Sequence, residues 1–168
     1  MVFGISIPTF TIVHTLISLI AIGTGFVVVA GLFGSKRLPA LTAIFWLTTV
    51  LTSVTGFMFP IKGFTPALGT GVVATLVFIP GLIALYVKNL AGSWHWIYAV
   101  SAVVSLYFNV FVLIVQVFQK IKLINPLAPQ VGPPFAEPQN TQFVVAQGVA
   151  LVACVVFGFL AARRFRPV

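Results

Sequence analysis

Catalysis or metal binding in this chain would have to be assembled from two histidines, one cysteine and one acid: His14, His95, Cys154 and Glu137. That inventory excludes several chemistries. There is no aspartate, and Glu137 stands in a proline-rich stretch, so neither a Ser–His–acid set nor a carboxylate-bound di-metal site can be built. Cys154 is alone, which rules out an internal disulfide and a cysteine-cluster metal site. No Walker A loop and no glycine-rich dinucleotide fingerprint occurs; Gly23 and Gly25 lie inside an apolar run and read as helix-packing positions. Proton relays across membranes generally use intramembrane acids, and the apolar runs hold none. The expectation is a protein that is not an enzyme, has no metal site and requires no cofactor.

The histidines leave one opening. His14 lies about six residues into the first apolar run, ~9 Å along a helix, and His95 begins the fourth. Across a hydrocarbon core of ~30 Å they should stand some way apart on opposite sides, too far to share one haem iron. A tetrapyrrole needing a single axial histidine is compatible with either. The plainer reading of each is a packed histidine bonded to a hydroxyl or lying at headgroup level. Ser18 is one turn beyond His14, and Trp94 and Trp96 flank His95.

The second chemical feature is a polar stripe. On a helix running from His95 to Gln119, the residues Tyr98, Ser101, Ser105, Asn109, Gln116 and Gln119 share roughly 80° of arc. Lipid cannot satisfy such groups, so the stripe must face other helices or a cavity. It reads in two ways. It is a seam of interhelical hydrogen bonds, each worth about 0.6–2 kcal/mol. Or it is a site for an amphipathic molecule such as a quinone or a lipid headgroup, held by the Asn109 and Gln116 amides and open toward the proline-rich stretch.

The elements that position these residues are membrane spans. The chain is 60% hydrophobic and 6% charged, where soluble domains carry about 25% charge, and its mean hydropathy is +1.18. An all-α bundle of five transmembrane helices is expected, at about 8–32, 39–59, 66–88, 94–119 and 141–162, forming one domain over 1–168. Pro8 suits a first helical turn, and Gly31, Gly34 and Lys36-Arg37-Leu38-Pro39 close the first span. MVFGISIPTF lacks a basic n-region and a small-residue cleavage site, so this span is expected to be retained. The second span carries Thr42, Thr48, Thr49, Thr52, Ser53 and Thr55, and its hydroxyl face is the expected partner of the stripe. Pro80-Gly81 predicts a kink within the third span, and such breaks can form a substrate site in a small transporter or channel. Trp94, Trp96 and Tyr98 mark an interfacial belt. Five prolines between 120 and 140 preclude regular helix and make that stretch a long cap or loop. The fifth span repeats small residues every four positions, Ala146, Ala150, Cys154, Gly158 and Ala162, a ridge on which a helix of this bundle or of another subunit can pack closely.

The formal charge is +8, nine basic residues against Glu137. The bases sit at span ends, which indicates topology and anionic lipid contact and argues against a nucleic-acid partner. Lys36, Arg37, Lys88, Arg163, Arg164 and Arg166 fall on one side and Lys62, Lys120 and Lys122 on the other. The richer side is expected in the cytoplasm together with the C-terminus, the N-terminus lying outside.

Two runs carry a resemblance. Thr52-Ser53-Val54-Thr55-Gly56-Phe57-Met58-Phe59-Pro60, and Leu106-Tyr107-Phe108-Asn109 through Gln116-Val117-Phe118-Gln119-Lys120, resemble short uncharacterised bacterial integral-membrane proteins over most of the chain. The resemblance implies a bacterial inner-membrane location and carries no function, ligand or site residues. The leading functional expectation is a small non-catalytic accessory or structural subunit of a larger membrane complex. The alternatives are a binder of a quinone, lipid or singly His-ligated tetrapyrrole, and a small transporter or channel.

Overall fold

A computed structural model describes residues 4–60, 66–120 and 141–166. Its regular structure is helical: α1 (Ile7–Phe33), α2 (Pro39–Phe57), α3 (Pro66–Leu82), α4 (Trp94–Lys120) and α5 (Thr141–Arg164). A π-helical turn, Ile83–Val87, extends α3. All five spans are long and apolar enough to cross a membrane, so this is a multi-pass helical membrane protein. The proline-rich stretch lies outside the described residues.

Local sequence sets the helix ends. Ser6 caps α1, its Oγ accepting the Thr9 N–H at 3.3 Å, and Pro8 occupies the first turn, where a missing N–H costs nothing. The chain then turns back over Gly31, whose carbonyl accepts both the Gly34 and the Lys36 N–H. Pro39 opens α2 with no side-chain cap at Leu38. α3 runs through Pro80 without ending there. The irregularity comes one turn later, where Lys88 N–H reaches Ile83 O and Leu90 N–H reaches Ala84 O. A widened turn thus follows Pro80-Gly81 at the helix end.

α4 touches α1, α3 and α5, and α2 lies against α1 and α3. The core gathers toward one end of the bundle. It takes Val28, Val29 and Leu32 from α1, Phe45 and Trp46 from α2, Ala99, Ala102 and Val103 from α4, and Ala161 and Phe165 from the α5 end. α4 is buried almost throughout from Tyr98 to Leu106 and only half-buried from Tyr107 to Phe118. Two glycines permit the tight half. A Cβ on Gly25 would lie 2.8 Å from Leu106 Cδ1 and Phe45 Cε2, and one on Gly81 would lie 2.6 Å from Trp46 Cη2 and 2.8 Å from Ser101 Cβ. Gly23, read from sequence alongside Gly25 as a packing position, instead faces outward with nothing within 4 Å of its Cβ position. Two residues apart on a helix means about 200° around the axis, so only one of the pair can meet α2 and α4.

Candidate functional site

The histidines stand at opposite ends of the bundle. His14 Nδ1 lies 2.7 Å from Thr55 Oγ1 of α2. Thr55 donates its hydroxyl hydrogen to Leu51 O at 2.7 Å, so its oxygen is the acceptor and His14 Nδ1 carries the proton. The ring packs edge-on against Phe59 with centroids 5.3 Å apart. Ser18, the hydroxyl one turn away in sequence, donates to the His14 main-chain carbonyl at 2.8 Å and receives Thr52 Oγ1 at 3.4 Å. A polar seam of His14, Ser18, Thr52 and Thr55 thus joins α1 to α2.

His95 uses both ring nitrogens. Nδ1 pairs with the Gly92 carbonyl, which has no proton to give, so Nδ1–H is the donor. Nε2 therefore presents its lone pair, and the Arg166 guanidinium donates to it. An iron at Nε2 would have to displace that guanidinium. Among the described residues no group of three His, Cys, Asp or Glu side chains comes together.

The α4 stripe is divided among different neighbours. Tyr98 is buried beside Trp46 and Phe165 and lines a cavity at the His95 end. Ser101 packs where α3 presents Gly81. Ser105 is 2% exposed, and its Oγ has no hydrogen-bond partner among the described residues. Asn109 Nδ2 donates to Thr49 Oγ1 at 3.2 Å, the contact expected between the stripe and the hydroxyl face of α2. Gln116 Oε1 is buried without a partner among the described residues, and the Gln119 side chain lies outside them. Of the other α2 hydroxyls, Thr52 and Thr55 serve α1, Thr48 donates to Ile44 O of its own helix, and Thr42 hydrogen-bonds Tyr98 of the stripe.

On α5, Gly158 is buried and Ala146, Ala150, Cys154 and Ala162 are half-buried, so the small-residue ridge faces the bundle. The Gly158 Cβ position is 3.9 Å from Val103 Cγ1, an ordinary contact with α4. Gln147, beside the ridge, donates from Nε2 to Phe111 O at 3.2 Å and was not singled out in the sequence, although an amide in an apolar span was the signal for it. The opposite face, including Val145, Val149, Val152, Val155 and Phe159, is exposed.

The sequence also gave no sign of how the His95 end is closed. Ser35, at φ 53°, donates its hydroxyl to Arg164 O at 2.7 Å and accepts the Arg166 N–H at 3.0 Å. The segment after α5 is thereby tied to the α1–α2 turn, Phe165 is buried, and Arg166 is carried to His95. Lys88 Nζ lies 5.6 Å from the Trp94 ring centroid, and the Arg163 guanidinium stacks on Phe159 at 4.3 Å. Two cavities open here. One of about 360 Å³ is lined by Arg37, Asn89, Gly92, His95 and Arg166. One of about 240 Å³ is lined by Lys36, Thr42, Tyr98 and the apolar side chains of Val28, Leu32 and Phe165. Arg37, Asn89 and Leu90 border both. No protein-family model, no curated protein and no solved structure matches this chain.

Proposed function

We propose that the chain is a small, non-catalytic accessory or structural subunit of a larger bacterial inner-membrane complex. One observation carries the reading: both histidines and the amides of Asn109 and Gln147 are taken up in hydrogen bonds within the protein. His14 bonds Thr55, Asn109 bonds Thr49, Gln147 bonds the Phe111 carbonyl, and His95 is held between Gly92 and Arg166. The two connections described in full, 34–38 and 88–93, are short. At the end they close they offer little surface outside the bilayer, so a partner there would be met laterally, through helix faces. Of these faces the exposed side of α5 is the broadest candidate, since α5 is the least buried of the five spans. By the positive-inside rule the end bearing Lys36, Arg37, Lys88, Arg163, Arg164 and Arg166 is cytoplasmic. The partners are other membrane subunits and lipids.

Native mass spectrometry of the protein extracted gently from its own membranes tests this reading. The expected result is the chain flying within a larger assembly. A chain that flies alone, with a stoichiometric quinone or tetrapyrrole mass, would overturn it.

A further inference from the structure

The basic end holds an unbalanced charge. Six Lys and Arg residues stand at the end where α1, the π-helical turn and α5 end and α2 and α4 begin. The chain has one acid in all, Glu137, and it is not among the described residues, so no described carboxylate faces them. Two of the bases, Arg37 and Arg166, line the same cavity. Like charges lining one hollow repel, and the two guanidinium groups carry ten N–H donors between them. One of these goes to His95 Nε2. An anion between the forks would offset the repulsion and accept several of the remaining donors, and planar two-pronged donation suits a phosphate oxygen pair.

The arrangement is held in place before any ligand arrives. His95 is oriented by the Gly92 carbonyl and in turn orients the Arg166 guanidinium, while Ser35 fixes the Arg166 backbone. On the other wall, Asn89 and Leu90 adopt consecutive left-handed conformations, φ 48° and 62°. They put the buried Leu90 side chain between the two cavities. The 360 Å³ hollow falls within the usual range of small-ligand sites. Its neighbour is walled in about equal measure by apolar side chains and by polar ones such as Lys36, Thr42 and Tyr98. A charged hollow beside a slot of mixed lining, at the end of a membrane bundle where headgroups lie, matches an amphiphile with an anionic head.

We propose that Arg37 and Arg166, with Asn89 beside them and His95 as a positioning residue, bind the phosphate of an anionic phospholipid whose glycerol end enters the slot lined by Val28, Leu32 and Phe165. The site stands independently of the subunit reading, because it needs no protein partner to be occupied. The shared chemistry with a free phosphate ion is separated by experiment. The full chain, purified in neutral detergent, is titrated with phosphatidylglycerol, with phosphatidylcholine of the same acyl chains, and with inorganic phosphate. Native mass spectrometry and the thermal midpoint are the readouts. One phosphatidylglycerol should be retained with at least tenfold preference over phosphatidylcholine. Arg37→Gln and Arg166→Gln should each weaken it at least tenfold. Arg163→Gln removes the same charge at the same end but from a side chain stacked on Phe159, outside both cavities, and should change binding less than twofold. Arg37 tests the site even if Arg166→Gln loosens the segment after α5. Equal retention of both lipids would overturn the proposal. So would an Arg163→Gln loss as large as that of Arg37→Gln, which would mean a diffuse field. Inorganic phosphate that stabilises the chain and displaces phosphatidylglycerol would overturn the lipid assignment.

Discussion

Replacing Gly81 with alanine adds one methyl group at the point where three helices come closest. The added Cβ would sit 2.6 Å from Trp46 Cη2, 3.0 Å from Trp46 Cζ2 and 2.8 Å from Ser101 Cβ. Trp46 is 1% exposed and rigid, and Ser101 Cβ is fixed to the α4 backbone, so neither neighbour can yield by a simple rotamer change. Overpacking of this kind costs about 1–3 kcal/mol. Alanine returns up to about 1 kcal/mol through its better helix propensity. The net expectation for Gly81→Ala is a loss of about 1 kcal/mol. Gly23→Ala makes the same chemical change where nothing lies within 4 Å, so it should gain up to about 1 kcal/mol. The two variants should thus differ by about 2 kcal/mol, up to roughly 30-fold in the folded-to-unfolded ratio. Reversible unfolding in mixed micelles, followed by helicity and tryptophan fluorescence, measures the difference. If Gly81→Ala proves as stable as Gly23→Ala, the close approach of α3 to α2 and α4 is wrong.

Other substitutions test the polar seams and the outer surface. In a double-mutant cycle, His14→Leu and Thr55→Val should couple by about 0.6 kcal/mol and no more than about 1.7 kcal/mol; zero coupling would remove the bond between Nδ1 and Thr55 Oγ1 from the account. Asn109→Leu should destabilise by a comparable amount, and adding Thr49→Val should cost little more, because their hydrogen bond is already gone. Val152→Trp, on the exposed face of α5, should leave the isolated chain folded while reducing its recovery in the larger assembly; an unchanged assembly would place the docking surface elsewhere.

What the sequence shows about the spans follows from composition and punctuation. Runs of Val, Ile, Leu and Phe bounded by Pro8, Gly34, Pro39 and Arg163 leave little freedom over where helices start and stop. The site is harder to read because its contacts join residues far apart in the chain. His95 meets Arg166 across 71 positions and Ser35 meets Arg164 across 129, and no helical period links them. Gly81 beside Pro80 reads as a break, yet what requires glycine there is the Trp46 ring on another helix. The α4 stripe was visible as one face. One face of a long helix nevertheless meets different neighbours at different depths, so its polar residues went to α2, to α3 and to an end cavity rather than to one ligand.

The uneven filling of the bundle has a mechanical consequence. Where Trp46, Phe165 and the glycine contacts lock the helices, relative movement is resisted by close-packed side chains. Toward the far half of α4 the same helices are only half-buried and have more room to shift. The molecule is a set of beams packed more densely at one end than at the other, where single hydrogen bonds such as His14–Thr55 and Gln147–Phe111 join the helices. A bilayer that thins or thickens is accommodated more readily by tilt in the half-buried half than by movement of the densely packed one.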